Sequence, residues 1–177
     1  IVDVQNFRVD QQKRKWILPV QQITSHFALW ENKLFFNSGD LKILTGFTSN
    51  RLKELEDKIT IPGIDNILDT YSYNIRYRYK IKKKQQLLFG TQGTFQTNTN
   101  LPDAEELLIP NANQFDKGGF LLWNWTGKTT ETQLGTRYDY RIINSNNQSY
   151  NFHGLNFSAG IVKNLKPVVL KLNTSTG

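Results

Sequence analysis

With 177 residues, the chain is long enough for one domain with its own core. It has no cysteine and no methionine, which excludes a disulfide framework and any cysteine-based metal site; a net charge of +7 comes from Lys and Arg mostly scattered along the sequence, so no nucleic-acid partner is implied. There is no apolar run of 18 residues, which excludes a transmembrane helix but not a β-barrel, whose strands show only alternating hydrophobicity.

Residues 1–19 are polar and weakly patterned and close on Pro19, so a loop arriving at a strand is expected. From Gln21 to Phe36, Ile23, Phe27 and Leu29 share one face against Gln22, Thr24, His26 and Ala28, and Asn37 to Asp40 supply turn chemistry. A second strand sets Leu41, Ile43, Thr45 and Phe47 against Lys42, Gly46, Thr48 and Asn50. A long connection with Pro62 and Gly63 follows.

The stretch from Asp69 to Asn98 holds the clearest pattern. Tyr71, Tyr73, Ile75, Tyr77, Tyr79 and Ile81 alternate with Thr70, Ser72, Asn74, Arg76, Arg78 and Lys80. That is a period of two, the signature of a strand. Leu87, Phe89, Thr91, Gly93 and Phe95 repeat the pattern after a short turn at Lys82 to Gln85, so an antiparallel hairpin is expected. Its strands are about as long as a bilayer crossing needs, roughly 9 to 11 residues. A half-exposed sheet of a soluble sandwich alternates in the same way.

A second long connection spans about Thr99 to Asn113. A fifth strand, Gln114 to Trp125, sets Phe115, Gly119, Leu121, Trp123 and Trp125 against Asp116, Gly118 and Asn124. A sixth, Thr129 to Ile143, sets Leu134, Thr136, Tyr138, Tyr140 and Ile142 against Gln133, Gly135, Arg137, Asp139 and Arg141. The polar Asn144 to His153 reads as a third long loop. Strands over Leu155 to Val162 and Val168 to Thr176 complete eight. Connections then alternate long and short, as in an outer-membrane barrel with tight periplasmic turns and long extracellular loops.

That orientation places Tyr71, Tyr73, Phe95 and Tyr138 near the outer strand ends and Trp123 and Trp125 near an inner end, as two lipid-facing aromatic girdles. Arg76, Arg78, Arg137, Asp139 and Arg141 point to the other side, into a lumen or against a luminal domain. Read along single strands, these arginines have few acidic partners: none near Arg76 and Arg78, and only Asp139 between Arg137 and Arg141.

With the strands in place, the sequence resembles the barrel region of TonB-dependent outer-membrane receptors of the Bacteroidetes type. Carrying the resemblance are Leu18-Pro19-x-Gln21, Gly46-Phe47-x-x-Asn50-Arg51-x-x-Glu54 and Gly93-x-Phe95-Gln96-x-Asn98-x-Asn100, then Glu106 to Pro110, Phe115-Asp116-x-Gly118-x-Phe120 and Gly135-x-Arg137-Tyr138-Asp139. The resemblance implies an all-β antiparallel transmembrane barrel domain over 1–177, with 1–19 an extracellular loop and 20–177 eight of about 22 strands. It implies the bacterial outer membrane as location, and energy-coupled uptake of a scarce nutrient such as a ferric siderophore. The implied partners are outer-membrane lipid, a plug domain of the same parent chain, TonB through that plug, and a small-molecule or metal-chelate ligand. No plug, TonB box or aromatic C-terminal residue stands in these 177 residues, so an internal fragment of a larger receptor is expected, with plug and TonB box upstream of Ile1.

Two rival readings use the same residues. One is a complete eight-stranded outer-membrane barrel, an adhesin or structural protein with a lumen packed by side chains. The other is a soluble β-sandwich carbohydrate-binding module using Trp123 or Trp125. Enzymatic chemistry has no support: Asp103, Glu105 and Glu106 lack a partner base and read as a solvated loop, and His26 on a strand and His153 beside a loop read as polar lining residues rather than metal ligands. No cofactor is implied.

Overall fold

The computed structural model describes residues 18–58, 60–107 and 109–176, so the expected loop over 1–19 lies, but for its last two residues, outside the described residues. Eight strands follow one another: β1 (Val20–Phe36), β2 (Gly39–Leu55), β3 (Ile64–Lys82), β4 (Gln85–Asn100), β5 (Ala112–Thr126), β6 (Thr130–Ser145), β7 (Gln148–Asn164) and β8 (Val169–Ser175). They form one antiparallel sheet in sequence order, β1 to β8. Each strand pairs with its chain neighbours, and the sheet does not close on itself.

Directly opposed residues share a face. Rows of partners therefore trace the two faces across the sheet. One row runs Phe47–Tyr71–Phe95–Phe115–Ile142, and four rows nearer the short turns another runs Tyr79–Leu87–Trp123–Leu134–Ala159. Ile43, Ile75, Phe89, Leu121 and Leu155 fill the rows between, on the same apolar face. The opposite face carries Thr70, Ser72, Asn74, Arg76 and Arg78 of β3 with their neighbours Gln96, Thr94, Gln92, Gly90 and Leu88. The six expected girdle residues, Tyr71, Tyr73, Phe95, Trp123, Trp125 and Tyr138, all lie on the apolar face, and Arg76, Arg78, Arg137, Asp139 and Arg141 all lie on the polar one.

The aromatic side chains of the apolar face touch across strands: Phe47 and Tyr71 have ring centroids 4.8 Å apart, Tyr77 and Phe89 5.5 Å, and Phe36 and Tyr77 5.9 Å. From Tyr71 to Tyr79 is eight residues, about 27 Å along the strand at roughly 3.4 Å each. At a tilt of about 40° that is roughly 21 Å of height, close to the apolar band of about 25 Å that barrel walls present. Within this band the apolar face holds one charged side chain, Lys117, level with Tyr73 and Tyr140.

The strand β1 departs from expectation. The register Phe36↔Gly39 to Val20↔Leu55 puts Ala28, Trp30, Leu34 and Phe36 on the apolar face, and Ile23, Phe27, Leu29 and Phe35 on the polar one. The two-residue turn Asn37–Ser38 dictates this: β2 is locked by its pairing with β3, and a one-residue slip would turn every side chain of β1 over. Phe27 is 82% exposed as a result.

The third long loop does not exist. Asn144, Ser145 and Gln148 to His153 are all in strands, joined by a turn of Asn146 and Asn147 alone. Both have positive φ, 50° and 62°, which Asn tolerates better than other non-glycine residues and which a two-residue hairpin turn of matching twist requires. Two long connections remain, 56–63 and 101–111, and they are fastened together. The Glu105 amide donates to the Pro62 carbonyl at 3.0 Å and the Glu106 amide to the Gly63 carbonyl at 2.8 Å. Asn98 Nδ2 donates to the carbonyls of Ile109 (3.2 Å) and Pro110 (3.1 Å), and Asn111 Oδ1 accepts from the Asn100 amide at 2.7 Å.

Beneath these loops lie the buried aliphatic side chains of Leu55 and Ile64. Beside them Arg51 meets the buried Asp65 side by side, Nε to Oδ1 at 2.8 Å and Nη2 to Oδ2 at 2.7 Å. That hydrogen bond holds the Arg51 pKa above the ordinary arginine value despite some desolvation.

Candidate functional site

The polar face of β3 to β6 carries the densest set of interacting polar side chains, around an open depression of about 760 Å³. Its geometry follows from register. Ser72, Thr94, Asp116 and Arg141 stand in one row, Asn74, Gln92, Gly118 and Asp139 in the next, and Arg76, Gly90, Phe120 and Arg137 in a third. Long polar side chains thereby face partners one strand or one row away.

Asp116 is the centre. It accepts from Thr94 Oγ1 at 3.1 Å and Gln114 Nε2 at 2.7 Å, and it is bonded by Arg141 Nε. Arg137 grips Asp139 with both Nε, at 2.6 Å to Oδ2, and Nη2. With its amide oxygen turned to the guanidinium, Gln92 accepts from Arg137 Nη2 at 2.9 Å. The result is two ion pairs of zero net charge in a hydrogen-bonded floor. Charge-assisted bonds of this kind fix geometry more than they add stability at a half-exposed surface.

The arginines are therefore better partnered than their own strands suggest. Arg141 finds Asp116 across β5, and Arg78 lies 3.8 Å from Asp40 across β2. Reading along single strands misses both, because the partner is supplied by register. Of the five residues assigned to the lumen side, only Arg76 has no ion-pair partner among the described residues. The residues not foreseen as part of this site are Asp116, Thr94, Gln92 and Gln114. The usable signal was the alternation of β5, which sets Asp116 and Gly118 opposite Phe115 and Leu121.

The Arg137–Asp139 pair lies flat across Gly118, where a methyl group would collide with both Asp139 Oδ1 and Arg137 Nη2. Gly154, opposite Asp139 on the other side, has nothing within 4 Å of the same added atom. Gly118→Ala is expected to displace the ion pair and cost about 1–3 kcal/mol, and Gly154→Ala to stay within about 0.5 kcal/mol. Denaturant unfolding of the two variants decides; equal losses would mean that the pair is not held by the space above Gly118.

Contrary to their reading as lining residues, His26 and His153 lie on the apolar face, and His153 is inside β7 rather than beside a loop, because the β1–β2 and β6–β7 registers set their parity; the five strands β2 to β6 separate them. Glu105 reaches Lys58 at 3.9 Å, an exposed pair between the two long loops. Among the described residues no three His, Cys, Asp or Glu side chains form a group able to hold a metal ion. No family model, no curated protein and no solved structure matches this chain.

Proposed function

We propose that this chain is wall, not enzyme: a segment of an outer-membrane β-barrel receptor that takes up a scarce nutrient, such as a ferric siderophore, with energy relayed through TonB. One observation carries the reading. A single-layer sheet, apolar with aromatic bands on one side and charged on the other, leaves its apolar side uncovered: Tyr71 is 53% exposed, Leu155 56% and Leu172 70%. A soluble sandwich covers that side with a second sheet, and none is formed by the described residues. Lipid is the solvent in which such a face is stable, and charge then belongs on the lumen side.

In this reading the floor around Asp116 lines the lumen, and further strands complete the barrel along the edges of β1 and β8, where unpaired backbone groups in lipid cost several kcal/mol each. A plug domain fills the interior. Arg76 meets it as an unneutralised cation, and Ile23, Phe27, Leu29 and Phe35 give it an apolar footing on β1. The docked loops 56–63 and 101–111 stand outside the cell.

Nitroxide labels placed singly at residues 73–79 of the parent protein in bilayers are expected to alternate between oxygen-accessible and water-accessible, odd positions facing lipid. A uniform profile ends the membrane reading. Deletion of the gene is expected to lower uptake of labelled ferric siderophores, with the intact gene restoring it and the Arg76→Gln/Arg137→Gln variant restoring less. Unchanged uptake in the deletion strain removes the transport half of the proposal while leaving the wall.

A further inference from the structure

We propose that the short-turn end of the sheet binds anionic phospholipid headgroups; this rests on the sheet being a membrane wall. The four short turns are stitched side by side. The Lys80 amide donates to the Ser38 carbonyl at 2.7 Å, the Thr126 amide to the Lys84 carbonyl at 2.9 Å, and the Asn164 amide to the Thr129 carbonyl at 2.8 Å. These bonds join the turns after β1, β3, β5 and β7 into one continuous rim.

That rim is predominantly positive. Lys82, Lys83, Lys84, Lys128, Lys163 and Lys166 lie along it, and none has an ion-pair partner among the described residues; Lys163 Nζ donates only to the Thr130 hydroxyl, at 2.9 Å. Carboxylates nearby are few: Asp40 lies near Lys33 and Arg78, and Glu131 is the other one. At the opposite end of the strands the net sign reverses, with Glu54, Glu56, Asp57, Asp103, Glu105 and Glu106 on or beside the two long loops outnumbering Arg51, Lys53 and Lys58. Charge is thus sorted along the strand axis, which scattered solvated lysines do not require.

Position selects the partner. Lys82 is three residues beyond Tyr79 and Lys128 three beyond Trp125, about 10 Å at roughly 3.3 Å per residue. Headgroups occupy about 5–8 Å beyond each side of the hydrocarbon core. Ammonium groups on turns of two to four residues, just past a Tyr/Trp band, stand at the level of lipid phosphates and reach little further. Lysine is suited to this as a compact point charge with three donors for phosphate oxygens.

The test uses the full-length parent protein. Delipidated protein in neutral detergent is titrated with phosphatidylglycerol or phosphatidylcholine and bound lipid counted by native mass spectrometry, while flotation with vesicles and carbonate extraction report membrane insertion separately. We expect phosphatidylglycerol to be preferred. K82Q/K83Q/K84Q/K128Q should lower its affinity roughly tenfold or more, the corresponding four Lys→Arg changes should keep it, and K53Q/K58Q at the acidic end should change nothing. Inorganic phosphate at matched ionic strength should not displace the lipid; displacement would make this a phosphate site and overturn the proposal. A carbonate-resistant protein without lipid preference, or a glutamine variant that keeps it, overturns the rim and spares the wall. Protein stripped by carbonate from both vesicle types fails the wall and the rim with it.

Discussion

Ile75→Arg is expected to destabilise the folded protein in a bilayer by about 2–4 kcal/mol, while Ser72→Arg, on the opposite face of the same strand, should change it by less than about 1 kcal/mol. Ile75 stands midway between Tyr71 and Tyr79 on the apolar face, where, in the proposed membrane wall, a guanidinium meets neither water nor a carboxylate. Ser72 is exposed on the polar face, one row from Asn74 and two from the natural Arg76. Urea titration of the protein refolded in vesicles gives both numbers. Equal losses, or a larger loss at Ser72, would mean that the two faces have been assigned to the wrong solvents.

The second large effect lies at the other end of β2. Arg51→Ala should cost about 3 kcal/mol, because it leaves the Asp65 carboxylate buried and unpaired, whereas Asp65→Ala removes the buried charge and leaves a guanidinium already 45% exposed to water. We expect the second loss to be about half the first, and the double variant R51A/D65A to be more stable than R51A alone. The pH dependence has a definite sign. A cation whose pKa is raised by its partner contributes its full stability below the ordinary arginine pKa, losing it only as pH rises through the raised value. Unfolding midpoints of the wild type minus R51A should therefore stay level from neutral to mildly alkaline pH; a steady fall over that window would place the stabilisation elsewhere.

Most strands were legible because a period of two survives in them, most clearly in Tyr71 to Tyr79 beside Arg76 and Arg78. What could not be read was anything requiring a partner strand. The apolar residues of β1 fall on both parities, Phe27 and Leu29 on one and Trp30 and Leu34 on the other, so only the turn at Asn37–Ser38 decides which set joins β2. In β7 the alternation of Tyr150 and Phe152 against Asn151 and His153 was present, but Gln148, Ser149 and Asn151 gave it the composition of a loop. Arg141 likewise needed the β5–β6 register before Asp116 became its partner.

The short motifs that carry the family resemblance acquire a physical role here. Gln21 Nε2 donates to Glu54 Oε1 at 3.0 Å, Arg51 holds Asp65, and Asn98 and Asn100 hold the chain from Ile109 to Asn111. These residues were recognisable one by one as a pattern. Their common work is to fasten the long-loop ends of β1 to β5 and the two long loops into one piece, a fact of three dimensions that spacing along the chain does not contain.

The missing third loop gives this sheet an uneven skyline. Over β2 to β5 the strands run on into fastened loops of eight and eleven residues, while β6 and β7 turn back at Asn146–Asn147, level with Asn98 and Asn50 rather than with Leu55. The parapet therefore has a gap. The low side at Asn144 to Gln148 is the shorter approach to the Asp116 floor from this end of the strands, and it is lined by amide and hydroxyl side chains that carry no charge.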